Sequence, residues 1–211
     1  MAATWAVPDK RIVLERVGWE TYERLLAEHV NSLGTRCAYH GENLEIVVGY
    51  KGHEDLNRTL AQLVEAVAME ADLLYCRTGS TTFKRDDLHK GFEPDSSFYI
   101  EHAEEVRSKD KIDLHHDPPP DLVIEIDITS DSLDRFPIFA GVGVPEVWRC
   151  SEGRVLMYRL RENGYVPLNR SVAAPPMTPE MATRSLELSS ELTPKQWFLR
   201  VQTWVREQLR Q

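Results

Sequence analysis

Two acidic side chains near the middle of the chain alternate with apolar ones, in the run DLVIEID that contains Glu125 and Asp127. The β-branched residues of this run, with prolines before it and Thr129-Ser130-Asp131 after it, predict a strand central to the core. Successive side chains of a strand point to opposite faces, so the two carboxylates share one face, roughly 7 Å apart. The strand segment 118–131 thus has two predicted faces: Leu122, Ile124, Ile126 and Ile128 on one, and Val123, Glu125 and Asp127 on the other.

The acidic face of this strand has two interpretations. Burying unpaired carboxylates costs several kcal/mol, so a buried pair needs a compensating cation, and a divalent metal ion would supply one. Antiparallel sheets, however, often expose one polar face to water, and such a face needs no cation. The run by itself leaves both interpretations open.

A third carboxylate, Asp95, follows Pro94 on a strand predicted over residues 92–100, thirty residues before Glu125. If the two strands are neighbours, the carboxylates of Asp95, Glu125 and Asp127 converge. Mg²⁺ favours a few carboxylates together with waters and phosphate oxygens. Such an ion activates water and neutralises charge in an in-line phosphoryl displacement. If they converge, the three acids indicate a metal site suited to phosphoryl displacement.

The same residues carry a resemblance to a known family. Pro94-Asp95 followed by Glu125 resembles the PD-(D/E)XK nuclease motif, and the run PDLVIEIDITSDSLDRFPIFAGVGVPEVWR (120–149) resembles the signature of the Uma-type putative restriction endonucleases. The order of features around this signature is also similar to the family, over roughly residues 15–170. These features are Tyr22 to Leu26, the Gly41-Glu42-Asn43-Leu44 turn, the helix start at His53 and the meander around Trp148.

The resemblance implies a restriction-endonuclease-like mixed β-sheet flanked by helices, and metal-dependent cleavage of DNA. It implies Asp95 and Glu125 as ligands of Mg²⁺, for which Mn²⁺ can substitute, with Asp127 as a possible further ligand. The motif's usual lysine position is Asp127 here, and the alternative lysine position on the following helix is Arg135. Arg135 is therefore expected near the scissile phosphate. Since lysine is missing from both positions, the alternative is a non-catalytic protein that binds nucleic acid or a protein partner.

Four polar residues near the start of the long helix are further candidates for the site. Related nucleases often contribute an acid here, but we expect Glu42, Glu45 and Glu54 to be solvated on the surface. His53 either begins the helix or has a role in the site.

The basic residues and the histidine pair before the acidic strand are also considered for roles in the site. Lys84, Arg85 and Lys90 form either a solvated turn or a local phosphate contact. We do not expect His115-His116 to bind a metal ion, because no third ligand is in register.

Composition narrows the class of protein. The chain has 211 residues with 42% hydrophobic content, which suits a single α/β (α+β) domain over residues 1–211. Its net charge is −9, so any DNA contact must be local. The cysteines are odd in number and widely spaced, as in a cytoplasmic protein with reduced thiols. No signal peptide and no run of about 20 apolar residues are present, so no membrane association is expected.

Local patterns predict the elements around this strand. Helices are predicted over 19–33, over 53–72 and from Phe136, where Pro137 suits the first turn. Strands are predicted over 11–15, 36–39, 44–48, 73–76 and 81–84, and residues 101–117 as an exposed excursion.

The C-terminal third is predicted to be a β-meander followed by a terminal helix. The meander covers roughly residues 144–168, and residues 171–180 read as a loop. Thr193 and Pro194 begin the helix, whose apolar stripe either packs on the core or contacts a second copy. Because restriction-type nucleases commonly pair to cut two strands, Trp197, Phe198 and Trp204 suggest a two-fold homodimer.

Overall fold

A computed structural model of the chain describes residues 10–29, 34–127 and 134–210. The strands are β1 (Lys10–Leu14), β2 (Thr35–His40), β3 (Asn43–Val48), β4 (Cys76–Arg77), β5 (Phe83–Arg85), β6 (Lys90–Phe92), β7 (Ser96–Tyr99), β8 (Leu122–Asp127), β9 (Glu146–Ser151), β10 (Arg154–Arg161) and β11 (Gly164–Pro167). The helices are α1 (Trp19–His29), α2 (Lys51–Glu70), α3 (Ala103–Val106), α4 (Phe136–Val142), α5 (Pro179–Glu191) and α6 (Pro194–Leu209), with a 3₁₀ turn at Asp86–Leu88.

These strands form two sheets. One has five strands in the order β1-β3-β2-β6-β5, and the other has six in the order β11-β10-β9-β8-β7-β4. The larger sheet is mixed, since β8 pairs antiparallel with β7 and parallel with β9. The predicted α+β class is confirmed, with its mixed sheet, flanking helices, C-terminal meander and terminal helix.

The alternation predicted for β8 divides two cores. Leu122, Ile124 and Ile126 belong to the core packed beneath α2, α5 and α6. Val123, on the opposite face, belongs to a second core that includes residues of α3 and α4. Glu125 and Asp127 on that second face are only 9% and 8% exposed, so β8 has no face open to water.

The strand predicted over residues 92–100 is in fact two strands in different sheets. β6 ends at Phe92 in the five-stranded sheet, and β7 begins at Ser96 in the six-stranded sheet. Pro94 lies between them and has no N–H to donate to a ladder, which explains why the strand stops there. Asp95 therefore lies in the crossing between the sheets.

Three other segments differ from the sequence prediction. The strand predicted over residues 73–76 is only Cys76–Arg77. The excursion 101–117 is not wholly exposed, because it contains α3 and buries Ala103, Val106 and Leu114. The 13-residue helix α5 was not predicted. The predicted end of the first helix near Leu33 and the segment 128–131 lie outside the described residues.

The terminal helix begins as predicted. The Thr193 side chain accepts a hydrogen bond from the Gln196 backbone, and the Gln196 side chain accepts one back from the Thr193 backbone. Trp197, Val201 and Val205 are buried in the first core, so core packing accounts for most of the apolar stripe. No helix of the described part of the chain is long and apolar enough to cross a membrane.

Candidate active site

Asp95 and Glu125 are brought together by the pairing of β7 with β8. Ser96 lies opposite Ile124 in the antiparallel register, which confirms that the two acidic strands are neighbours. The Asp95 Oδ2 atom accepts a hydrogen bond of 2.7 Å from the backbone N–H of Ile126, the residue after Glu125. Asp95 is thereby fixed beside the acidic end of β8.

The Asp95 carboxylate is buried against two basic side chains. Its Oδ1 atom accepts a hydrogen bond from Arg36 Nε on β2 and lies 2.8 Å from His53 Nε2 on α2. Burial opposes ionisation, but the His53 hydrogen bond and the Arg36 charge outweigh it and hold the Asp95 pKa well below its usual range. His53 is 1% exposed, so it supports Asp95 and does more than begin the helix.

Glu125 has one paired oxygen and one unpaired oxygen. Oε2 accepts a hydrogen bond of 2.9 Å from Arg135 Nη1. Oε1 is buried and has no hydrogen-bond partner. Burial raises the Glu125 pKa to about 7, with the Arg135 charge opposing that rise and the Asp95 charge adding to it. A buried oxygen without a donor is uncommon and indicates a place for a water molecule or a cation.

Glu45, which was expected on the surface, is fully buried in the site. Its Oε2 atom accepts hydrogen bonds from Arg135 Nε at 3.0 Å and Nη2 at 2.8 Å, and its Oε1 atom accepts one from Arg11 Nη1 at 3.0 Å. The prediction was wrong because Glu45 lies on β3, on the same face as the buried Val47. An apolar residue two positions away was the available signal.

Asp127 is paired across the sheet and across the site. Arg149 on β9 donates to its Oδ2 atom through Nε at 3.1 Å and also through Nη2. Arg11 Nη2 lies 4.0 Å from its Oδ1 atom. Arg149 was missed as a site residue, although it ends the signature run.

Arginines supply the positive charge that the buried acids require. Each acid has an arginine partner within salt-bridge distance: Glu45 with Arg11 and Arg135, Asp95 with Arg36, Glu125 with Arg135, and Asp127 with Arg149. The burial of these carboxylates therefore does not by itself demand a metal ion, contrary to the argument from sequence. Asp131, four residues before Arg135 in the sequence, is an alternative helical partner for this arginine, but it lies outside the described residues.

A cavity of about 180 Å³ opens at these groups. Its walls include Glu125, Asp127 and Arg135, together with Arg11 and Arg149. Both acids predicted on β8 and the predicted Arg135 thus share one cavity, whereas Asp95 lies behind it under Arg36 and His53.

The carboxylates fit a hard cation in kind but do not form a ready ligand cluster. Carboxylate oxygens are what Mg²⁺ prefers, and Glu125 Oε1 is free to bind one. Among the described residues, however, three ligand atoms within 4.8 Å of one another occur only elsewhere. Those groups are Asp86, Asp87 and His115, which are exposed, and Glu101, His102 and Asp121. For several of these carboxylates to bind one metal ion, the arginines that now hold them must therefore move.

The basic residues before Asp95 contact protein groups. Lys84 Nζ lies 2.5 Å from Glu23 Oε1, and Lys90 Nζ donates to the backbone carbonyl of Pro137 at 2.8 Å. Arg85 pairs with Asp87. These contacts favour a structural turn over a phosphate contact.

Comparison with known proteins identifies one matching family model, described as Uma2, putative restriction endonuclease, over residues 19–194. A solved structure described as a putative nuclease belonging to DUF820, from Anabaena variabilis ATCC 29413, is also similar. That likeness has a TM-score of 0.46 at 14% identity and covers 80% of this chain and 90% of the other. It adds no argument about the site. No curated protein matches the chain.

Proposed function

The chain belongs to the Uma2 family of putative restriction endonucleases, and from this premise we propose that it is a Mg²⁺-dependent endonuclease acting on DNA. Family membership supports a nuclease in general. The metal ion and the DNA substrate are our proposal, and its main support is the buried, unpaired Oε1 atom of Glu125 at the wall of an acid-lined cavity.

In this proposal Glu125 and Asp127, which line the cavity, bind the ion. Asp95, which does not line the cavity, is the third acid of the site. Bound Mg²⁺ would supply positive charge at the scissile phosphate and lower the pKa of water. Arg36 and His53 keep Asp95 ionised and fixed in position. The core beneath β8 holds the strand that carries Glu125.

Arg135 acts electrostatically in this proposal. Burial disfavours its charge, but Glu125 and Glu45 overcome that effect and hold its pKa above the usual range. It stays protonated and cannot act as a general base. It can hold a phosphate oxygen with two N–H groups and stabilise the charge that develops there.

The second candidate is a nuclease fold that has lost turnover and binds nucleic acid or a protein partner. Two observations favour it: arginines already neutralise the acids, and neither motif position carries lysine.

Plasmid cleavage distinguishes the two candidates. We expect purified protein to nick supercoiled plasmid in Mg²⁺ or Mn²⁺ and to stop when EDTA is added. Arg135→Lys should retain or raise this activity, and Arg135→Ala should lower it by roughly 10²-fold, the scale for losing one transition-state donor. A preparation that binds duplex DNA but cuts none with either metal ion supports the second candidate.

We also propose a cytoplasmic homodimer with two-fold symmetry. The three cysteines are free thiols. Trp204 is half-buried and Leu199 and Leu209 are exposed on α6, which leaves apolar surface for a second copy. Trp197 packs inside its own chain and does not contribute to that surface. Light scattering at micromolar concentration should give twice the mass of one chain, and a monomer would rule out the dimer.

A further inference from the structure

Arg135 connects two carboxylates through all three nitrogens of its guanidinium group. Nε and Nη2 donate to Glu45 Oε2 at 3.0 and 2.8 Å, and Nη1 donates to Glu125 Oε2 at 2.9 Å. The three side chains are buried, with exposures of 11%, 0% and 12%. Arg135 is therefore the internal cation of this acid pair.

This arrangement opposes the binding of a metal ion alone. The four acids of the site are already paired with four arginines. Adding two positive charges to a buried, neutralised group brings like charges together at low effective dielectric. The ion also needs oxygens that Arg135 now holds. Glu125 Oε1, which is buried and has no hydrogen-bond partner among the described residues, is available to it without rearrangement.

A phosphodiester removes both obstacles. Its negative charge offsets the charge of the ion, and its two free oxygens match the guanidinium fork as well as a carboxylate does. Arg135 lies in the cavity wall, where such an anion would arrive. Arg149, 40% exposed in its side chain, lies in the same wall. Moving Arg135 from carboxylate to phosphate would release the Oε2 atoms of Glu45 and Glu125 from this arginine, while Arg11 keeps its bond to Glu45 Oε1.

We propose that Arg135 makes metal binding conditional on DNA: it holds Glu45 and Glu125 in the free protein and passes to the phosphodiester when DNA binds, so that DNA and the divalent ion bind cooperatively. This inference rests on the proposed function and adds an order of binding to it. Coupling between two ligands is reciprocal, so it can be measured from the DNA side.

The wild-type protein provides the first test. A short fluorescent duplex with phosphorothioate linkages, which resists cleavage, is titrated with protein in EDTA and in Mn²⁺, and anisotropy gives both affinities. We expect binding to be about tenfold tighter or more in Mn²⁺, within the usual range of coupling. Equal affinity, or weaker affinity in Mn²⁺, overturns the inference.

Variants test whether Arg135 is the cause. Without DNA, Arg135→Gln should bind Mn²⁺ about tenfold more tightly than wild type, because the acid pair has lost its internal cation, and should show less coupling. Arg135→Lys keeps the positive charge, so its Mn²⁺ affinity should stay close to that of wild type. Arg149→Gln is the matched control: Arg149 lines the same cavity but holds one acid, Asp127, whereas Arg135 holds both Glu45 and Glu125, so this variant should gain less Mn²⁺ affinity. Equal Mn²⁺ affinity in wild type and Arg135→Gln overturns the inference.

The outcomes separate this inference from the proposed function. Cleavage with independent binding of DNA and Mn²⁺ leaves the function standing and overturns the inference. Cooperative binding of DNA and Mn²⁺ without cleavage of an ordinary duplex supports the inference and overturns the proposed function. Near-ultraviolet circular dichroism checks the fold of each variant. If Arg135→Gln does not fold, the wild-type titration still decides whether DNA and the ion bind cooperatively, and equal affinities there overturn the inference.

Discussion

Asp95→Ala is expected to destabilise the folded protein by about 3–5 kcal/mol, the usual cost of removing one partner of a buried ion pair. The substitution leaves the Arg36 guanidinium and the His53 ring buried without the carboxylate that both contact, and the Ile126 N–H loses its acceptor. Urea denaturation in EDTA measures the loss without any contribution from metal. A change below about 1 kcal/mol would mean that these contacts do not stabilise the fold.

The same loss should depend on pH in a defined direction. The Asp95 pKa is lowered in the folded state, so its contribution is complete above the unfolded-state pKa of about 3.9. It disappears as pH falls further, through the folded-state pKa. The free energy of unfolding of wild type should therefore exceed that of Asp95→Ala by a constant amount near neutral pH, and this difference should shrink below about pH 4. Asp55, exposed on α2 and paired with Lys51, is the control, and Asp55→Ala should change stability little.

Local pattern was sufficient for the central strand, β8. A period of two places Leu122, Ile124 and Ile126 on one face and Glu125 on the other whatever the rest of the chain does. The N-cap at Thr193 likewise depends on a pattern of only four residues, Thr193 to Gln196. Features set by nearest neighbours in sequence were therefore predictable.

The partners of the acids were not predictable in this way. Arg135 and Glu45 are 90 residues apart. They meet because α4, which begins directly after Arg135, packs against β2 and β6 of the sheet that contains β3. Arg11 lies outside the segment matched by the family model, and it reaches the site because β1 pairs with β3. Without these contacts, the sequence argument assigned the missing positive charge to a metal ion alone.

Helix α5 was missed for a different reason. Of its thirteen residues only Ala182, Ser185 and Leu186 are buried, so its apolar stripe is short and small. Its Thr178 cap and Pro179 were present but followed other prolines, which made the segment resemble a loop. Tertiary packing against α2 and β10 determines this helix more than its own pattern does.

Glu125→Gln is expected to abolish cleavage while making the protein more stable. Glutamine keeps the shape of the side chain but removes the negative charge that the proposed metal ion needs, so nicking should fall by about 10²-fold or more, as for loss of one electrostatic group in an active site. Burial raises the Glu125 pKa to about 7, so the ionised form is costly in the folded state. Removing it should add on the order of 2 kcal/mol above that pH, measured by urea denaturation in EDTA.

The direction with pH follows from the same shift. Between the unfolded-state pKa of about 4.3 and the folded-state value of about 7, the folded protein binds more protons than the unfolded chain, so wild-type stability falls as pH rises. Glu125→Gln has no carboxyl group to titrate at this position. Its gain in free energy of unfolding over wild type should therefore grow across that pH interval and then stay level. Asp134→Asn is the matched control: Asp134 lines the same cavity but is exposed, and its substitution should alter neither stability nor cleavage. A Glu125→Gln protein that is inactive yet no more stable would show that Arg135 already compensates the Glu125 charge in full.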